Sequence, residues 1–214
     1  MKTAAFIDAS NLFYGGKKSL GWSIDYEKLI SYLKEKYAVD AVYFFGGVEI
    51  HRFPFDYLKH DTVPIEELER YLAALIREKG KHMTDAKLVL LDRHLRRVHF
   101  YLKLQAFGYR LILKPVKTFE DEDGNPIRKA NCDVDMAFRL MLDQATFDRA
   151  IVLSGDGDFL PVLKHLRQKG KEVLVLARGP RTAREIKRFA GDKFLDFTRL
   201  QHRLARDEEG ETSV

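Results

Sequence analysis

The sequence predicts a three-layer α/β/α fold with a central, mainly parallel five-stranded sheet and a helical insertion. Three observations carry this expectation. Short apolar runs rich in β-prone residues alternate with segments of helical spacing, the order of βαβ units. Two of these runs end abruptly in acids, Asp8 in AFIDASN and Asp156/Asp158 in VLSGDGDF. With 214 residues, 45% of them apolar, the chain has enough material for one substantial core.

The first strand is Thr3–Ile7, buried and closed by Asp8; Gly15 and Gly16 interrupt the chain soon after it. Tyr26, Leu29, Ile30, Leu33 and Tyr37 repeat at helical spacing, which predicts a helix over 25–37 with Ser23 or Asp25 at its cap. Val39–Phe45 is the second strand, stopped by Gly46 and Gly47. Pro64 opens a helix with Glu66 and Glu67 in its first turn, and Gly80 ends it. That helix belongs to an insertion at about 52–92. Another helix covers 94–107 and closes at Gly108, before a third strand over 109–113. FEDEDGNPIRK, 119–129, is a polar loop or small hairpin with an Asp-Gly turn. A helix over 132–145, a fourth strand over 149–153, a helix over 159–168, a fifth strand over 172–177 and a basic helix over 181–189 complete the alternation. The fold occupies residues 1–200 as one domain, and 201–214 form a polar tail that turns acidic after Asp207.

Charge is unevenly spread. The net charge is +5, but residues 159–206 hold thirteen Lys/Arg against four Asp/Glu. A basic face beside an acidic edge suits a polyanionic substrate, although a solvated helical surface has the same composition. Cys132 is the only cysteine, which excludes a disulfide framework and a cysteine-based zinc site. No apolar run reaches membrane-spanning length, and the N-terminus runs straight into the first strand. The expected compartment is the cytoplasm. The seven histidines show no paired ligand spacing.

In a parallel α/β sheet the loops after the strands gather at the carboxyl edge, where ligands bind. Several carboxylates there repel one another unless cations sit among them, and hard divalent ions with oxygen ligands fit that need. Asp8 stands at the end of strand one; Asn11, three residues on, can orient Asp8 or a bound water, and the same pair also suits a helix cap. Ser154-Gly155-Asp156-Gly157-Asp158 is the sharpest motif: the glycines allow a tight strand-to-helix turn, and Ser154 can hydrogen-bond one of the two acids. As a mere capped turn, with Asp158 as the cap, it would need one acid rather than two. Asp133 and Asp135 lie in the first turn of their helix, where acids are stabilised by the dipole. Two positions apart they point differently, so Asp133 is the better ligand and Asp135 a supporting or helix-stabilising residue.

Asp8–Asn11 after a first strand, Lys129–Asp135, and Ser154–Phe159 followed by GKEVLVL together resemble the NYN family, relatives of the PIN-domain ribonucleases, and its single-domain LabA-like branch. Phe194 and Asp196 in GDKFLDFTRL are similar to that family's closing segment. The resemblance spans nearly the whole chain except the insertion. Asn131 departs from it, standing where the family often has glycine, and the lysine-to-aspartate spacing is one residue longer. The resemblance implies a PIN-like fold and a metal-dependent endonuclease acting on RNA, single-stranded or structured. Asp8, Asp133, Asp156 and Asp158 would hold Mg²⁺ or Mn²⁺, and Asn11 and Ser154 would accompany them. Arg181, Arg184, Lys187 and Arg188 would grip phosphates, and Phe13, Tyr14 or Trp22 would stack on bases or join the core. Two other readings stand beside it. A non-catalytic RNA-binding or regulatory module would use the same pocket without turnover. A haloacid-dehalogenase-like phosphatase would use GDGDF as its last acidic motif, but it needs an acid two residues after Asp8, where this chain has Ser10. The insertion could shape substrate choice or join copies into a homo-oligomer.

Overall fold

The computed structural model describes residues 1–13, 20–120 and 126–207. Tyr14, the Gly15-Gly16 break, the Asp-Gly turn at 123–124 and the end of the acidic tail lie outside these residues. The main sheet has six strands in the order β3-β2-β1-β6-β7-β8: β1 (Thr3–Asp8), β2 (Val39–Val48), β3 (Tyr109–Pro115), β6 (Arg149–Leu153), β7 (Glu172–Ala177) and β8 (Phe194–Asp196). The pairs β1–β6, β6–β7 and β7–β8 are all parallel. The expected parallel α/β fold is therefore present, with one strand more than the sequence predicts. β8 is only three residues long and half-buried, too short to show a period of two. After β3 in the chain, β4 (Lys117–Glu120) and β5 (Pro126–Lys129) pair antiparallel, where a loop or small hairpin is expected over 119–129.

Among the described residues the helices are α1 (Ala9–Phe13), α2 (Tyr26–Tyr37), α3 (Ile65–Lys79), α4 (Asp85–Phe107), α5 (Asp133–Leu142), α6 (Leu160–Gln168), α7 (Arg184–Ala190) and α8 (Gln201–Leu204). Asp25 caps α2, its carboxylate accepting from the N–H groups of Glu27 and Lys28. α4 is longer than expected: it begins at Asp85 rather than His94 and ends, as expected, at Gly108, whose φ of 98° suits a glycine C-cap. α7 begins at Arg184 because 179–181 form a separate 3₁₀ turn around Pro180. Among the described residues no helix is long and apolar enough to cross a membrane.

The chain divides into two compact units, Met1–Tyr43 with Ala137–Val214, and Phe44–Met136. In the first, β1 is buried along its whole length, and Phe6 stacks on Tyr43 at 5.2 Å and meets Phe147 edge-on at 5.6 Å. Trp22, a candidate for base stacking, is instead core: it is 7% exposed and stacked on Phe197. In the second unit α3 packs on α4, burying Leu68, Leu72, Leu91 and Val98. The buried Tyr101 ring meets Phe44 edge-on, and its hydroxyl donates to the Gly47 carbonyl at 2.7 Å.

Candidate functional site

The parallel register pairs Ile7 with Leu153, so Asp8 and Ser154 leave β1 and β6 side by side at the carboxyl edge. Asp8 is 3% exposed and Ser154 2%. A buried carboxylate needs donors, and Asp8 has four. Its Oδ1 accepts from the Ser10 N–H (3.0 Å), the Ser10 hydroxyl (2.6 Å) and the Asn11 N–H (3.1 Å). Its Oδ2 accepts from the Ser154 hydroxyl at 2.9 Å. Asn11 then reaches across in return, its Oδ1 accepting from the Gly155 N–H at 2.9 Å. Two loops from neighbouring strands are thus laced together by polar side chains. Rather than bonding an acid of its own motif, the Ser154 hydroxyl donates to Asp8 and accepts from the Asp156 N–H at 3.3 Å.

The GDGDF turn is held equally closely. Asp156, rather than Asp158, is the cap of the Gly157–Phe159 turn, accepting from the Asp158 N–H at 3.0 Å. Asp156 is half-buried and Asp158 exposed. Gly155 is required by its surroundings: a Cβ there would lie 2.7 Å from Thr182 Oγ1 and 2.9 Å from Thr182 Cα. The Ala183 N–H donates to the Gly155 carbonyl at 2.9 Å, and the Thr182 hydroxyl donates to the Arg178 carbonyl at 2.8 Å. Among the described residues no three His, Cys, Asp or Glu side chains stand close enough together to hold an ion. What the edge presents is a set of hard oxygen donors, one of them buried and fixed. Asp8 Oδ2 takes a single protein donor among the described residues, which leaves it acceptor capacity for a cation.

Beside this edge, at the ends of β7 and β8, lies a cleft of about 430 Å³ lined by Gly179, Lys187, Phe194, Asp196 and Arg199 among others. Asp196 organises its floor. Its Oδ1 accepts from the N–H groups of Gly179 (2.9 Å) and Thr198 (3.0 Å) and from the Thr198 hydroxyl (2.8 Å). Burial pushes the Asp196 carboxyl up, but these hydrogen bonds and the nearby Arg199 charge outweigh it and hold it below the ordinary range. Arg178 is 4% exposed; burial first, and then the charge of Arg181, lower its pKa. Of the residues expected to grip phosphates, Lys187 lines this cleft, while Arg181, Arg184 and Arg188 are exposed. Arg199, Thr182 and Arg178 carry no motif in the sequence; the basic count over 159–206 is the one signal that includes the two arginines.

In the second unit, the Asp133 N–H donates to Asn131 Oδ1 at 3.3 Å. The residue that departs from the family pattern is thus a capping group at the start of α5. Asp135 forms an ion pair with Lys114 at 2.8 Å.

A family model described as the NYN domain matches residues 2–198 of the chain. The chain belongs to the NYN domain family. The parallel sheet with acids at its carboxyl edge is the form this domain takes here. The chain is 24% identical to the low amplitude and bright protein LabA of Synechococcus elongatus, an alignment spanning 100% of this chain and 92% of LabA. In fold the chain is similar to a protein of unknown function from Vibrio parahaemolyticus, with a TM-score of 0.56, 17% identity and 91% of each chain covered. A crystal structure of the T5 D15 protein co-crystallized with metal ions is more distant, with a TM-score of 0.44, 17% identity, 87% of this chain covered and 59% of that one.

Proposed function

We propose that this NYN domain is a Mg²⁺- or Mn²⁺-dependent endoribonuclease. One observation carries the reading: a buried aspartate, Asp8, is held by four donors at the carboxyl edge, directly beside the acid-bearing GDGDF turn. Asp8, Asp156, Asp158 and Asp133 would be the ion's ligands: carboxylate oxygens are the hard donors these ions take, and a bound ion would have to draw them closer than they stand. A bound cation would supply the polarisation that makes water a nucleophile at neutral pH and would offset charge on the leaving oxygen. The chain's own residues do the rest. Ser10, Asn11 and Ser154 fix the Asp8 carboxylate in one orientation, so no binding energy is spent ordering it. Lys187 and Arg199 in the cleft, with Arg181, Arg184 and Arg188 around it, hold the phosphate backbone without reading sequence. The lone, buried Cys132 is compatible with a cytoplasmic setting.

The test is cleavage of single-stranded RNA in Mn²⁺ by Asp8→Asn and Asp156→Asn. Both variants are expected to lose about a hundred-fold or more in rate, the several kcal/mol that metal-assisted chemistry supplies. Full-rate cleavage by both sinks the proposal. A second reading, an RNA-binding module without turnover, is favoured by the fact that Asp8 already braces two loops. RNA binding that survives with no cleavage of any RNA would select it. The phosphatase reading finds no acid at the required position; Ser10 there donates its hydroxyl proton to Asp8.

A further inference from the structure

In the second unit, one face of α4 carries Arg93, Arg96, Arg97 and Phe100. Their spacings of three, four and seven residues put them in one stripe. The stripe borders a pocket of about 490 Å³, closed by Gly47, Glu49, Val116 and the buried His94. That volume lies within the range of small-ligand sites, about 300–1,000 Å³. The three arginines are exposed and Phe100 is half-buried. Among the described residues only Arg96 of the three has an acidic partner, Asp92 at 2.7 Å. Arg97 lies over the Phe100 and Tyr101 rings, 5.5 Å from each centroid.

Three like charges within two turns of one helix work against the helix, whose packing face is formed by Leu91, Val98, Tyr101 and Leu104. Guanidinium groups match phosphate oxygens with paired donors. A half-buried phenyl ring beside them offers a stacking surface for a base. Glu49 adds a carboxylate, the acceptor that ribose hydroxyls take.

We infer that this pocket binds a ribonucleoside phosphate, with the phosphate on Arg93, Arg96 and Arg97, the base against Phe100 and the sugar toward Glu49. The nucleotide can come from an unpaired RNA strand or be a free mononucleotide; the chemistry is the same. The inference goes beyond hydrolysis at the acidic edge and does not require it.

The experiment is equilibrium binding by the full chain in EDTA, where no cleavage occurs. One arm uses a short labelled single-stranded RNA, the other a fluorescent adenosine monophosphate analogue. Arg97→Ala, Arg93→Ala and Phe100→Leu are compared with Lys87→Ala, which removes an exposed charge from a different face of the same helix. Each arginine substitution is expected to weaken binding about ten-fold and Phe100→Leu several-fold, with Lys87→Ala changing it less than about two-fold. Glu49→Gln is expected to narrow any preference for ribose over deoxyribose. Loss in the RNA arm alone supports the pocket and assigns it to a strand; loss in the mononucleotide arm supports it and assigns it to a free nucleotide. The inference is overturned if neither probe binds the wild type, or if the pocket variants bind as Lys87→Ala does. Because metal is absent, failure of the nuclease reading leaves these outcomes intact. An unchanged thermal midpoint confirms that each variant is folded.

Discussion

Two polar regions of this chain solve opposite problems. At the β1–β6 edge the carboxylate of Asp8 is buried and every contact it makes is directional: two N–H groups and two hydroxyls fix one orientation. On α4 three guanidinium groups stand in solvent, with a single acidic partner among the described residues. The first arrangement is positional. A buried polar group is costly when any partner is missing, so the network tolerates one geometry only. The second is capacitive, since exposed cations spend little on order and gain when an anion arrives. The contrast gives a rule for separating site residues from structural ones: substitutions at the edge should disturb folding and function together, and those on α4 should separate them.

The largest effect expected from that contrast comes from Asp8→Ala, which orphans the Ser10 and Ser154 hydroxyls and two N–H groups at once. It should lower unfolding free energy by about 3 kcal/mol, read by urea titration. Asp8→Asn keeps one oxygen acceptor and should lose less stability while losing as much activity. Equal stability of the two variants would mean the brace is not structural. Next comes Gly155→Ala. Its Cβ would meet the Thr182 backbone at 2.9 Å as well as its hydroxyl, and backbone cannot swing away. The expected cost is about 2 kcal/mol, a fall of roughly 4–8 °C in Tm. An unchanged Tm would show that the 178–183 turn yields freely and that the edge is not rigid there.

Much of the fold is readable from the sequence, for reasons specific to each element. β6 and β7 are buried apolar runs bounded by polar residues, and the predicted and observed limits of both coincide. Pro64, two glutamates and a terminal glycine mark α3. The start of α4 escapes because Leu88, Val89, Leu90 and Leu91 run together and hide the helical period. β8 escapes because three residues hold no period. At the site the acids are visible as residue types, but their partners are not. Ser154 lies next to the acids of its own turn in sequence and donates to Asp8, 146 positions away, since parallel pairing brings the ends of β1 and β6 together. By sequence Asp158 is the natural cap, yet Asp156 takes that role, because a 3₁₀ turn rather than the helix comes directly after it. Arg96, Arg97 and Phe100 fall inside the helix expected over 94–107, but Arg93 lies before it, so the full stripe shows only once α4 is seen to start at Asp85.

A middle-sized effect concerns pH and involves Glu172 at the amino end of β7 and Asp196 at the carboxyl end of β8. Glu172 is held below the ordinary carboxylate range by its hydrogen bond from Lys193 first and then by Arg149. The two contacts are 2.8 and 2.5 Å. Asp196 is also held low. A carboxyl with a depressed folded pKa contributes stability that is fully present above its unfolded value, near 4 for these residue types, and is lost as the pH falls through the folded value. Urea midpoints should therefore hold steady from about pH 7 to about pH 5 and drop below about pH 4. Glu172→Gln should start lower and fall less steeply. Parallel acid limbs for the variant and the wild type would show that Glu172 does not contribute to the acid transition.

The smallest stability effect is the most informative, because the comparison demands that it be small. Arg93 and Arg97 are four residues apart on α4, a like-charge spacing that costs a helix about 0.2–0.5 kcal/mol. Neutralising both, as Arg93→Gln with Arg97→Gln, removes that repulsion and removes one contact to a buried group, that of Arg97 over the Tyr101 ring. The double variant should be as stable as the wild type or more so by about 0.3 kcal/mol, while its RNA affinity falls. Asp8→Ala gives the opposite pattern, a large loss of stability accompanied by loss of activity. If instead the arginine pair proves necessary for folding, the charges are structural, and the stripe joins the β1–β6 edge as architecture. A chain that keeps mutually repelling cations at no benefit to its own stability keeps them for something outside itself.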